Sequence, residues 1–178
     1  TRCLALRGAE IFLDISSEGR SSYHLPDGGW EIARRTRAYE NIAYLAMSNC
    51  GPAIDTDGPA DFSHGHSQIV DYNGRVLNMA ESAGETIITA EVDIEALRRR
   101  RARASLNFLA ELSPQIHAPI YAATQAWPTN HWAEQPMASV AENRAVEAAV
   151  IQRMQSAGVL TAPTAAEQAT AGRVGSQD

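Results

Sequence analysis

Apolar and polar positions divide the first hundred residues into short alternating blocks. Residues 2–7, "RCLALR", read as the end of a helix that stops at Gly8. "AEIFLDIS" (9–16) is a mostly apolar run that turns polar at its end, the pattern of a buried strand. "SEGRSSYHLPDGG" is a loop by composition, in which Asp27 or a following glycine caps the next helix. "WEIARRTRAYEN" spaces Trp30, Ile32, Ala33, Thr36, Ala38 and Glu40 as a helix of about three turns does. "IAYLAMSNCG" reads as a second buried strand, and "PAIDTDGPADFSHGH" as a long surface loop. In "SQIVDYNGRVLNMA", two strands flank Asn73-Gly74, the dipeptide suited to a type I′ hairpin turn, with Ile69, Val76 and Leu77 supplying apolar faces. "GETIITAEVDI" predicts a further strand, and Asp93 caps a short helix, "IEALRRRRAR".

After residue 104 the texture changes. Prolines and scattered aromatics without a sustained period suit an arm that lies on another surface. Residues 138–157 predict an amphipathic helix with Val146, Val150, Met154 and Ala157 on one stripe. From Thr161 the chain is rich in Ala, Thr and Gly, and disorder is expected. The expected organisation is therefore a domain portion over 1–104, an arm and helix over 105–160, and a tail over 161–178. The order of helices and strands is that of an α/β fold, with helices covering a sheet on at least one side.

Composition narrows the function. The chain has 178 residues, 44% of them apolar, enough for a real core. Its net charge of −6 offers no basic surface for nucleic acid. No apolar run approaches the roughly 18 residues of a membrane span, and no signal peptide is visible. With two cysteines and no disulfide framework, the expected location is the cytoplasm. All fifteen basic residues are arginine, so no lysine is available to any active site in this chain. The absence of an initiator Met predicts that the sequence begins partway through a larger module.

Each candidate for chemistry has a plainer reading beside it. Cys3 sits in a helical pattern between apolar neighbours, and Cys50 ends a strand; both read as small buried thiols. Thr1 could serve as an N-terminal nucleophile, but such residues begin at a strand edge and this one precedes a helix. Asp55, Asp57, Asp61, His64 and His66 share a loop, yet they lack the closing Glu of a calcium loop and the third ligand of a zinc site. The arginines of "RRRRAR" (98–103) suit the negative end of a helix dipole; a patch that receives a partner's carboxylate is the alternative.

Four phrases in register together resemble the nitrilase, or carbon–nitrogen hydrolase, superfamily. "RCLALRGAEIFL" resembles the helix and strand that follow the nucleophile elbow. "RRTRAYENIAYLAMSNCG" resembles the Arg-Ala-x-Glu-Asn helix that leads into a core strand with an Asn-x-Gly end. "GHSQIVDYNGRVL" resembles the Gly-x-Ser-x-Ile hairpin, and "GETIITAEVDIEALRRRR" the closing strand and helix. The resemblance covers roughly residues 2–103.

It implies part of a four-layer α-β-β-α sandwich, with a C-terminal arm and helix. It also implies hydrolysis of a non-peptide C–N bond in a small amide, carbamoyl compound or nitrile, without metal or organic cofactor. Family members use a Glu base, a Lys stabiliser and a Cys nucleophile, all of which would precede Thr1; no catalytic residue is assigned to this chain, and on its own it is expected to be inactive. The loop after the first strand, Ser16, Ser17 and Glu18, would border the substrate pocket, an ordinary polar turn being the plainer reading. Glu40 and Asn41 read as structural hydrogen-bonding groups. The helices at 2–7 and 30–40 would pack across a twofold in a homo-oligomer. The arm's Phe108, Tyr121, Trp127 and Trp132 would anchor a partner subunit or cover the chain's own core. Isolated, such a portion should expose sheet edges and apolar faces. The competing expectation is an inactive truncated homologue that serves as a binding or assembly module.

Overall fold

A computed structural model describes residues 1–18, 29–51, 65–81, 84–124, 127–133 and 136–164. The chain divides into two units, Thr1–Leu112 and Ser113–Asp178. The first carries the sheet. In chain order it contains α1 (Arg2–Leu6), β1 (Ile11–Ser16), α2 (Trp30–Asn41), β2 (Tyr44–Asn49), β3 (Gln68–Val70), β4 (Val76–Met79) and α3 (Ile94–Arg101). The strands lie in sequence order. β1 runs parallel to β2, whereas β2–β3 and β3–β4 are antiparallel. The parallel pair requires a crossover, which α2 provides.

Packing follows the strand period. In register, Phe12 lies beside Leu45, and Leu45 beside Val70. With Met47, these side chains form the core against Ala5 of α1 and Ala38 of α2. The buried positions of α2 are Arg34, Ala38 and Asn41, a single stripe at helical spacing. On the other face of β1, Leu13 and Ile15 are 80% and 90% exposed. Glu40 pairs with Arg2 at 3.0 Å and Arg37 at 2.7 Å, and Asn41 Nδ2 donates to the Arg37 carbonyl. Both residues thus hold the end of the helix together, as expected.

α2 passes into β2 through Ile42, a fully buried β-branched residue at φ +45°. That conformation costs about 1–2 kcal/mol, and burial of its side chain offsets it. Arg101 braces the same junction. Its guanidinium donates to the carbonyls of Ala9 (2.6 Å), Ile42 (2.8 Å) and Asn41 (3.4 Å). Burial lowers its pKa from the ordinary arginine value, and Glu10 opposes that shift.

The 98–101 arginines serve the chain itself. Arg98 grips both carboxylate oxygens of Glu10, at 2.9 and 3.0 Å, and Arg100 binds the Ser105 and Leu106 carbonyls. Asp93 caps α3 as predicted, its Oδ1 accepting from the Ala96 amide at 2.8 Å. Asn107 closes the other end by donating to the carbonyls of Arg101 and Arg103. Phe108 then meets the partly exposed ring of Tyr39 edge to face, so this arm aromatic packs on the chain's own α2.

Three local expectations are corrected. The hairpin turn is not type I′. Only Gly74 has positive φ (+75°); the Gly74 amide donates to the Asp71 carbonyl and the Asp71 amide to the Arg75 carbonyl. This is a type I turn followed by a glycine bulge. The buried Asp71 dictates it, because its Oδ1 accepts from the amides of both Asn73 and Arg75. Residues 86–93 form no strand. Although β-branched, the segment is held by side chains instead of a ladder: Asn78 Nδ2 binds the Thr89 carbonyl, and Tyr44 Oη accepts from the Asp93 amide. Cys3 and Cys50 are exposed. Ala5 is the buried position of α1, and Cys3 lies about 200° around the helix from it; Cys50 lies just past the end of β2.

The second unit holds α4 (Pro114–Ala123) and α5 (Val140–Ser156). α4 interrupts the stretch read as irregular: Pro114 occupies its first turn, where no amide partner is lost. All of its residues are exposed, including Ile116, Ile120 and Tyr121. At the start of α5, Ser139 Oγ accepts from the Glu142 amide at 3.3 Å, and the Glu142 carboxylate accepts from the amide of Ala138, one residue ahead of the cap, at 2.8 Å. Val146, Val150 and Met154 are half-buried on one stripe, and Ala157 caps its exposed end. No helix among the described residues is long and apolar enough to cross a membrane.

Candidate functional site

In sheets with parallel strands, ligands gather beyond the carboxyl ends. Here that rim is where β1 ends at Ser16 and β2 at Asn49, neighbours in register. The Cys50 amide extends the ladder to the Ser16 carbonyl at 3.3 Å. Ser16, Ser17 and Glu18 follow in an extended turn across this rim.

Each of the three has a defined place. Ser16 Oγ donates to Glu18 Oε1 at 3.2 Å. Ser17 is exposed, and its Oγ accepts from the Cys50 thiol at 3.3 Å. Glu18 is held twice. Its carboxylate pairs with Arg34, whose side chain is only 7% exposed and which also faces Asp14 at 3.7 Å. Its backbone is held by Asn49, whose Oδ1 accepts from the Glu18 amide at 2.7 Å while Nδ2 donates to the Glu18 carbonyl at 3.3 Å.

Asn49 reaches further. Nδ2 also donates to the Gly65 carbonyl at 2.9 Å, and the Asn49 amide donates to Ser67 Oγ at 3.0 Å. The turn after β1 and the segment entering β3 therefore meet on one side-chain amide. Arg34 was not singled out in the sequence, and Asn49 and Ser67, although they are the Asn of the Asn-x-Gly end and the Ser of the Gly-x-Ser-x-Ile phrase, were given no role. Single polar residues carry no periodic signal.

A groove of about 580 Å³ runs between α1, α2 and β1. Leu4, Phe12 and Trp30 give it an apolar wall, Cys3 opens onto it, and Asp14 and Arg34 lie along it. Among the described residues no cluster of three or more His, Cys, Asp or Glu side chains could hold a metal ion. Asp55, Asp57, Asp61 and His64 lie outside those residues; His66 is placed at the entry to β3 with φ +52°.

Comparison with known proteins matches this architecture. The family model of carbon-nitrogen hydrolases covers residues 1–102. The chain belongs to that family. It is 41% identical over 78 residues to a chloroplastic omega-amidase of Arabidopsis thaliana, covering 44% of this chain and 20% of that protein. It is 38% identical over 107 residues to an omega-amidase of Mus musculus, covering 56% and 37%. It is 30% identical over 106 residues to a 2-oxoglutaramate amidase of Paenarthrobacter nicotinovorans, covering 56% and 34%. Among solved structures, a carbon-nitrogen hydrolase from Helicobacter pylori G27 superposes with a TM-score of 0.53 at 26% identity, covering 67% of this chain and 43% of that one. Saccharomyces cerevisiae Nit3, of the nitrilase superfamily, superposes with a TM-score of 0.51 at 25% identity, covering 62% and 38%. The chain thus spans a fifth to about two fifths of the length of these relatives.

Proposed function

We propose that this chain is the substrate-bordering portion of an amidase that hydrolyses a small, non-peptide amide. The observation that carries the reading is the Ser16-Ser17-Glu18 turn, fixed at the carboxyl rim of a parallel strand pair inside the segment matched by the family. The omega-amidase and 2-oxoglutaramate amidase relatives favour an amide over a nitrile.

The family's chemistry is covalent catalysis. A cysteine thiolate attacks the amide carbon after a glutamate takes the thiol proton. A lysine and backbone amides hold the charge that develops on the carbonyl oxygen. Return of the proton to nitrogen releases ammonia and leaves a thioester. Water then splits the thioester into the acid and the free thiol. With no lysine in the chain, at least that group comes from outside it. We place the nucleophile and the base outside it as well, and read the isolated 178 residues as inactive. Ser16 and Ser17 contribute polar atoms to the border of the pocket, and Glu18 holds the shape of the turn through Arg34. The intact enzyme is a homo-oligomer in this reading, with the exposed Tyr121 and Trp127 available to a partner subunit.

The test is ammonia release by the intact protein from 2-oxoglutaramate and from an aliphatic nitrile, before and after thiol alkylation. Release from the amide that alkylation abolishes is the expected result. Faster turnover of the nitrile would overturn the choice of substrate. No turnover of either compound would favour the assembly-module reading.

A further inference from the structure

We infer that Asn49 is a positioning residue for the substrate border: its carboxamide sets the height of the Ser16–Glu18 turn over the strand ends. This deepens the proposed amide-hydrolase reading and rests on it.

A primary carboxamide carries a donor and an acceptor, like a peptide unit, on a short tether. Asn49 uses both on one residue, accepting from the Glu18 amide at 2.7 Å and donating to its carbonyl at 3.3 Å. The side chain thus acts as an extra rung beyond the last register pair, Ser16 with Asn49. The second hydrogen of Nδ2 goes to the Gly65 carbonyl at 2.9 Å, which ties the segment entering β3 to the same amide. Ser67 Oγ fixes the Asn49 backbone from the far side at 3.0 Å. The carboxylate of Glu18 is independently anchored on Arg34. With Ser16 in the ladder and Glu18 pinned at both backbone and side chain, the exposed Ser17 has little freedom in where it presents its hydroxyl.

The geometry also identifies the discriminating replacement. Asn49→Asp keeps the shape and the acceptor for the Glu18 amide, but sets an anionic oxygen against the carbonyls of Glu18 and Gly65. Asn49→Ala removes all three bonds. A group that positions the substrate border should act on substrate capture more than on the chemical step.

Wild-type, Asn49→Ala and Asn49→Asp forms of the intact protein are compared by steady-state amide hydrolysis and by hydrogen–deuterium exchange. Both variants should raise KM by about tenfold while kcat changes less than about threefold. Exchange in peptides spanning residues 16–18 should accelerate, while β2 and α2 stay protected. Unchanged exchange at 16–18 in the isosteric Asp variant would overturn the clamp. Accelerated exchange with unchanged KM would overturn its role toward substrate. A wild-type protein that hydrolyses no amide would overturn the amide-hydrolase reading, and with it the substrate role of Asn49, while exchange at 16–18 would still report separately on the clamp.

Discussion

The two faces of β1 and the strand positions beside them have the same kind of side chains and different surroundings. On the helix side, Phe12, Leu45, Met47 and Val70 are buried under α1 and α2. On the other side, Leu13 and Ile15 stand almost fully exposed. A strand that meets water on one face alternates apolar with polar residues, whereas "IFLDI" is apolar on both sides apart from Asp14. β1 is written for a sheet covered twice, and the described residues cover it once. The difference teaches that apolar pattern reports the surroundings for which a strand is suited, not only those its own segment provides.

Substitutions sharpen that contrast. Phe12→Ala removes a buried ring from the covered face and should cost the intact protein about 3–5 kcal/mol in chemical denaturation; a loss below about 1 kcal/mol would mean the helix face is not the core. Gly74→Ala should cost about 2 kcal/mol, because it combines positive φ with a Cβ 3.1 Å from the Arg35 carbonyl. Its effect should appear as a lower melting temperature with unchanged secondary structure.

The Glu10–Arg98 pair should show itself through pH. The hydrogen bond from Arg98 lowers the Glu10 pKa below its ordinary 4.5. The pair therefore contributes stability above the unfolded carboxylate's range and loses it as pH falls through the lower folded value. The melting temperatures of wild type and Arg98→Ala should differ at pH 7 and converge as acid protonates Glu10; a gap of the same size after the carboxylate is protonated would show that Arg98 acts by packing alone. Smallest of all, Leu13→Glu with Ile15→Glu in the 178-residue chain should leave its circular dichroism unchanged and raise its solubility. Loss of secondary structure there would show that the open face is covered after all, and would break the contrast.

Much of this fold was legible where a period or a turn residue forces the outcome. The apolar runs at 9–16 and 42–49, the helix at 30–41 and the glycine stop at Gly8 all have local causes, and the structure repeats them. Legibility failed where the outcome depends on a distant partner. "TIIT" (86–89) has strand composition, but composition does not say whether a ladder partner lies alongside. Asn73-Gly74 suggests a two-residue turn until the carboxylate of Asp71 claims the amides of residues 73 and 75. α4 was hidden by its prolines. At the site, the rim turn was visible as a polar end to an apolar run. The groups that hold it, Arg34 from α2 and Asn49 from β2, are separated from Glu18 by 16 and 31 positions, and only the folded chain brings them together.

The hairpin has a consequence for chemical ageing. An exposed asparagine before glycine is prone to lose its amide nitrogen when the next backbone nitrogen attacks the side-chain carbonyl to form a cyclic imide. In this turn the nitrogen that would attack, that of Gly74, is occupied by the Asp71 carbonyl at 2.9 Å, and the Asn73 amide is tied to the carboxylate of Asp71. The bond that closes the turn also engages the attacking nitrogen, so Asn73 should convert to aspartate and isoaspartate more slowly in the folded protein than in an unfolded peptide of the same sequence.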